Sequence, residues 1–394
     1  MIRGAWRLPW TARTVPHGLL DILRGCNLTC RACYNTAPAQ PKRLELLRDE
    51  FNLLARLRKL DSVSIVGGEP TLHPQLCDVV RMIKSAGVSV ELFTNGLHTP
   101  PEFLAQLKAA GTDLVFLHID AHQSRPDLPR PDGASLRSLW ASKAAAVAAA
   151  GMEVGLAITA YPDAESDIDA AVDFVISSPH ADYLLVTLFR DTGQLGPLSG
   201  SIAAGIHGRP AAAGQVGQPR QWTNKVVYHR LKDRFGLLPF AYLGDSKGNA
   251  DPRWLSYLIG AVVAEQSKTF WRGLRPSCIE RFFVRLYRLL RGRYPFYIPQ
   301  SPGRFRVQLL LNALSGGLVR DNLGLVRRSL RRGDILRAKR LLFQCPAYID
   351  GGGSLVHCEN CPDATIRGGT LVPVCVSDQL ICDFSRHPST PDRP

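Results

Sequence analysis

The chain has 394 residues, 45% hydrophobic and 21% charged, enough for one large α/β domain with a smaller appendage. No stretch reaches the roughly 20 uncharged apolar residues of a membrane-spanning helix, and residues 1–13 are basic without the apolar run or cleavage site of a secretory signal. The net charge is +14, and the segment from Arg272 to Arg340, with 17 Lys and Arg against three acidic residues, carries all of it, so the basicity belongs to one local surface.

Taken in order, an N-terminal arm over 1–15 leads into alternating strands and helices. Strands are expected at 18–23, 62–66, 88–93, 114–119, 153–159 and 183–188. Helices are expected at 43–60, 75–85, 102–109, 134–150 and 168–177. Six such strands in about 170 residues read as a parallel sheet with crossover helices, either an open doubly wound layer or a curved barrel. Residues 191–222, rich in Gly, Ala, Ser and Pro, read as a flexible loop that could act as a lid. The stretch 238–254 is polar and loop-like, and its Tyr242, Asp245, Lys247, Asp251 and Arg253 could line a substrate pocket. Residues 278–293 form an amphipathic helix with Ile279, Phe282, Phe283, Leu286, Leu289 and Leu290 on one face and Arg281, Arg285, Arg288 and Arg291 on another. Arg-rich helical sequence continues to Arg340. A cysteine-rich segment over 341–385 follows, and residues 386–394 read as a disordered tail.

Each polar motif of the first half directly follows a strand, where open sheets and barrels place their ligands. Cys26, Cys30 and Cys33 stand at a Cys-x3-Cys-x2-Cys spacing after the first strand. A four-iron cluster offers four corners and usually takes cysteine thiolates. A loop with three leaves one iron open. Zinc normally wants four closed ligands, and no further Cys or His follows within several residues. Gly67-Gly68-Glu69-Pro70 follows the second strand, where glycines permit close backbone approach and a carboxylate can hold an ammonium. Thr94-Asn95-Gly96 and His118-Ile119-Asp120 follow the third and fourth.

The triplet and the Gly-Gly-Glu-Pro run about 35 residues beyond it resemble the radical S-adenosylmethionine (SAM) enzymes. The resemblance implies an α/β fold with a partial (β/α)6 barrel over 16–190, followed by a mostly helical basic region at 223–340 and a small cysteine-rich C-terminal domain. It also implies a [4Fe-4S] cluster on Cys26, Cys30 and Cys33 whose open iron chelates SAM. One electron then yields a 5'-deoxyadenosyl radical that takes hydrogen from an unactivated carbon. Gly67, Gly68 and Glu69 would meet the methionyl amino group, and Thr94 and Asn95 would lie near the ribose and carboxylate. The residue before the third cysteine, often aromatic in the family, is here Ala32, and Tyr34 stands one place beyond that cysteine. His118 occupies a position where the family often has Ser.

Cys345, Cys358, Cys361, Cys375 and Cys382 form a second thiol concentration. Four of the five could close a second iron-sulfur cluster, as in family members with auxiliary clusters. A structural zinc, with or without His357, would use the same geometry. Ten cysteines grouped this way argue for a reducing compartment and a cytoplasmic location, with the basic helix allowing peripheral attachment to an anionic membrane. The expected substrate is a lipid or other hydrophobic acceptor; a peptide or protein is the alternative. A non-catalytic iron-sulfur or zinc protein that binds an anionic partner is the third reading. Flavodoxin or ferredoxin would serve as reductant. Nucleic acid ranks below lipid, because no recognition motif accompanies the arginines.

Overall fold

The computed structural model describes residues 4–33, 40–189, 223–248, 251–263, 269–292, 294, 302–315, 319–330, 334–350 and 355–377. The loop expected at 191–222 and the tail at 386–394 lie outside the described residues. A short strand β1 (Trp6–Arg7) precedes an alternating series: β2 (His17–Leu23), α1 (Leu44–Leu57), β3 (Ser62–Gly67), α2 (Leu76–Ser85), β4 (Ser89–Thr94), α3 (Pro101–Ala110), β5 (Leu114–His118), α4 (Gly133–Ala149), β6 (Glu153–Ala160), α5 (Ser166–Ser177) and β7 (Ala181–Leu188). All seven residues of β2 are buried, the continuous pattern of a strand covered on both faces. Helix α1 buries Leu47, Phe51 and Leu54, spaced by four and three on one face. Helix α3 starts at Pro101 and stops at Gly111, whose φ of +113° suits glycine.

Strands β2 to β7 pair in parallel, and their order across the sheet follows the chain without reversal. With right-handed crossovers, every helix then falls on the same face and the sheet curls around its bare face. This is the barrel alternative; a doubly wound layer reverses its order at a switch point.

The second half extends the sheet. It contains α6 (Asn224–Phe235), β8 (Ala241–Leu243), β9 (Trp254–Val263), β10 (Phe270–Leu274), α7 (Cys278–Arg291), α8 (Pro302–Ser315), α9 (Val319–Arg328) and β11 (Ile335–Gln344). Strand β11 runs parallel to β7 and antiparallel to β9, which in turn pairs antiparallel with β8 and β10. The basic region is mostly helical in α6 to α9, but the Arg-rich helical sequence expected to run to Arg340 is corrected at its end. Arg337, Lys339 and Arg340 lie on a strand, not on a helix. Lys339 is fully buried and donates to the carbonyls of Ser178 and Ala181, while Arg337 pairs with Asp182. Cations tethered to the end of α5 and the start of β7 allow a charged run to pair in the sheet.

The N-terminal arm also joins the sheet. Trp6 pairs with Ala241 of β8, the edge opposite β2. Residues 8–16, which span at most about 30 Å when extended, connect the two edges. They bring the ends of an eleven-stranded sheet together around an interior. From Cys345 the chain crosses back towards β2 through two ribbons, β12 (Tyr348–Ile349) with β13 (Leu355–Val356) and β14 (Ala364–Arg367) with β15 (Thr370–Pro373). Arg367 reaches Asp21 of β2, and Arg58 donates to the carbonyls of Cys361 and Pro362. The charged residues of 238–254, expected as pocket lining, hold this segment instead: Lys247 pairs with Asp350, and buried Arg253 donates to the carbonyl of Pro346.

Candidate functional site

The loop after β2 carries Cys26 and Cys33 exposed and Cys30 half-buried. Neighbours brace it on three sides. Cys30 bridges to Gln123 after β5, and Ser124 N–H donates to the carbonyl of Thr29 at 3.0 Å. Arg31 pairs with Asp163 at 2.8 Å and lies over the ring of Tyr161. Burial, then the charges of Asp120, Cys33 and Cys26, push the Cys30 thiol up to about 12. The three sulfurs thus act on one another across one small space.

The third brace is the glycine pair. Gly68 N–H donates to the carbonyl of Leu23 at 2.6 Å, and Glu69 N–H donates to that of Gly25 at 2.9 Å. A Cβ on Gly67 would stand 2.1 Å from the Leu23 oxygen, and one on Gly68 would stand 2.2 Å from the Gly25 oxygen. The glycines are needed for this approach of backbone to backbone. Glu69 is 1% exposed. Its oxygens accept from Thr71 N–H and O–H, from Thr94 O–H at 2.7 Å and from Asn95 N–H at 2.7 Å. It ties the ends of β3 and β4 together and does not line the cavity that Gly67 and Gly68 line. Asn95 Nδ2 donates to Asn27 Oδ1 within the cysteine loop. His118 lies 3.5 Å from Asp120. Burial acts to raise the Asp120 pKa, but the hydrogen bond and charge of His118 and the N–H groups of His122 and Thr159 outweigh it and lower the value. Tyr34 lies outside the described residues.

All three thiols open on a chamber of about 220 Å³, walled also by Gly67, Gly68, Thr94, Asn95 and His118. Thiols at one wall and close-set backbone at the next suit a cluster with a small ligand on its open iron. An inner chamber of about 410 Å³ shares Phe93, Leu185 and Asp363 with it. Its walls are largely aromatic: Phe93 stacks on Phe116 at 4.5 Å, and Phe116 meets Tyr183 edge-on. Phe283 and Val284 of α7 and Val307 and Leu311 of α8 form its outer wall. Sequence reasoning did not single out His17, Ser64, Glu91 or Asp363, which all line the inner chamber. Polar residues spaced two apart in the otherwise apolar β3, and a lone carboxylate in β4, were the available signal.

Cys345, Cys358, Cys361 and Cys375 act on one another in pairs. Cys345 and Cys358 are buried. A hydrogen bond from Cys361 lowers the Cys358 pKa and raises that of Cys361, to which Cys375 also contributes. Burial pushes Cys345 up to about 11. His357 turns its Nδ1 to the carbonyl of Cys358, and Cys382 lies outside the described residues. Among the described residues, no three Cys, His, Asp or Glu side chains stand close enough to hold a single metal ion. Cys77 is a half-buried thiol of α2.

Residues 20–175 match the family model described as Radical SAM superfamily. The chain is 29% identical over 116 residues to 7,8-dihydro-6-hydroxymethylpterin dimethyltransferase of Methanocaldococcus jannaschii, covering 28% of this chain and 23% of that protein. It is 31% identical over 106 residues to the tungsten-containing aldehyde ferredoxin oxidoreductase cofactor-modifying protein of Pyrococcus furiosus, covering 26% and 30%. The chain thus spans less than a third of the length of these relatives. It is also similar to the solved structure of Streptococcus suis SuiB bound to S-adenosylmethionine, at 14% identity and a TM-score of 0.38 over 56% of this chain and 49% of that one.

Proposed function

Because residues 20–175 belong to the radical SAM superfamily, we propose that the protein uses a [4Fe-4S] cluster on Cys26, Cys30 and Cys33 to act on a hydrophobic substrate. When bound, the cluster and SAM supply reductive cleavage of the sulfonium and hydrogen abstraction from an unactivated carbon. The chain supplies the rest. The loop thiols would hold the cluster, and Gly67, Gly68 and Glu69 would meet the methionyl amino group of SAM. Thr94 and Asn95 would lie near the ribose and carboxylate, and Glu69 also ties both strand ends. His118 and Ala32 lie at the same wall, and Tyr34 follows in the loop.

One observation carries the choice of substrate: the cysteine chamber adjoins a larger, mainly aromatic chamber that reaches α7 and α8. A dry, shaped interior excludes water from a reactive carbon centre. Helix α7 leaves Phe282, Phe283, Leu289 and Leu290 exposed beside its arginines, which suits the surface of an anionic bilayer, and an amphiphile would enter from there. Among the described residues no helix is long and apolar enough to cross a membrane. Cys345, Cys358, Cys361 and Cys375, with Cys382 as the spare, would hold a second iron-sulfur cluster, or zinc in its place. A flavodoxin or ferredoxin would supply the electron.

Anaerobic iron, sulfide and zinc content tests both thiol groups. Relative to wild type, Cys26→Ala/Cys30→Ala/Cys33→Ala should lose about four irons, keep about four, and form no 5'-deoxyadenosine. A triple variant that keeps all its iron would remove the cluster from this loop. Retention of about one zinc and no iron would make the C-terminal group a structural zinc site.

A further inference from the structure

We propose that the inner chamber binds the protonated amine head of an amphiphilic substrate, with Glu91 and Asp363 as its anionic partners. This rests on the hydrophobic-substrate reading above and narrows it.

Ser64 O–H donates to Glu91 Oε2 at 2.8 Å, so the Ser64 oxygen must accept from His17 Nε2 at 3.2 Å. His17 Nδ1 shares a hydrogen bond of 2.7 Å with the Ser62 hydroxyl, which also reaches Glu91. The hydrogens of Ser64 and of His17 Nε2 point towards Glu91. A relay so directed stabilises a carboxylate, yet the charged side chains nearest Glu91 are Asp363 and Glu153, both acidic. Burial consequently pushes the Glu91 pKa up to about 7, although its serine hydrogen bonds oppose the rise.

Asp363 opens on the same space. Its side chain is 21% exposed, and it lines both chambers, so that exposure is to the interior. The two cations of the inner chamber, Arg304 and Arg340, are already engaged within the protein. Trp254, 5% exposed, lines the chamber as well and leaves its indole N–H without a partner. Arg58 already acts on Asp363; an ammonium between the two acids supplies the counter-charge of Glu91. The ring of Phe116 suits such a cation, as that of Tyr183 already carries Arg340, and an oxygen near the amine would satisfy Trp254. The apolar tail then trails past Phe283 and Val307 to the outer wall. A chain of net charge +14 repels cations at long range, so a preference for one must arise locally.

The chamber carries its own reporters, Trp6, Trp10 and Trp254. Their fluorescence in the full-length, cluster-loaded protein would be titrated with dodecylamine, dodecanol and dodecanoate below their micelle concentrations. Dodecylamine should bind at least about tenfold more tightly than the other two. Glu91→Gln should reduce that preference to within about twofold while dodecanol binding persists, and Asp363→Asn should weaken it in part. Persistence of dodecanol binding and an unchanged melting temperature would show that Glu91→Gln is folded. An amine that binds no better than the alcohol, or a preference that survives both substitutions, overturns the proposal alone. Failure of all three probes to bind overturns the hydrophobic-substrate reading with it.

Discussion

Helix α1 turns Leu47, Phe51 and Leu54 into the sheet, whereas α7 buries only Glu280 and leaves Phe282, Leu289 and Leu290 61%, 81% and 73% exposed. Both helices are amphipathic with similar spacing. In the parallel half the apolar stripe is covered by strands; in the basic half it faces outward next to arginines. Amphipathicity therefore says that a helix has a partner without saying that the partner is the core. The buried Glu280 explains the inversion. It closes a capping box with Ser277 and accepts from Gln308 and Asn312 of α8, so α7 packs inward through Glu280 and Val284 while most of its apolar stripe stays outside.

The contrast breaks most visibly on a membrane. Flotation with anionic vesicles at low salt should carry the wild type. Leu289→Glu/Leu290→Glu should lose about two to four orders of magnitude of binding, from two leucine burials of about 1.5–3 kcal/mol each. Indifference of the wild type to such vesicles would mean that something else covers this face. Stability sharpens the same contrast. Leu54→Ala, at a fully buried site, should cost about 2–5 kcal/mol in denaturant unfolding. Leu289→Ala should fall within about 0.5 kcal/mol. Equal costs would show that α7 is covered in solution.

The third effect is smaller and lies inside the parallel half. Glu91, with its pKa raised to about 7, holds a proton in the folded state that the unfolded chain releases near 4.5. The folded state therefore binds more protons between those values, and stability falls as pH rises through the window. The loss is on the order of 3 kcal/mol at most. Unfolding at about pH 5 and pH 7.5 should show this slope in the wild type and a flatter one in Glu91→Gln.

The same two halves explain what could be read in the chain. Strand and helix bounds over residues 17–188 follow from periodicity to within three residues, because each element there is covered by sequence neighbours. The approach of Gly67 and Gly68 to the cysteine loop follows from the same regularity. Strand β11 was not legible. Its cations look like a helix face until their acceptors on Asp182, Ser178 and Ala181 are known. The role of Glu69 was also hidden. Its part in tying β3 to β4 shows only in the fold, where four donors meet its carboxylate. His17, Ser64 and Glu91 come from three strands, and nothing local announces that their side chains meet.

The pairing of Trp6 with Ala241 has a consequence in time. Strand β1 cannot take its place until β8 has been made, on the order of 10–50 s later at about 5–20 residues per second. During that interval Trp6 and Trp10 have no Trp254 or Phe240 to pack against, while β2 to β7 can already assemble. Closing the interior is thus a late event in the life of each new chain, and slow synthesis through residues 189–241 would lengthen the period in which two tryptophans wait in water.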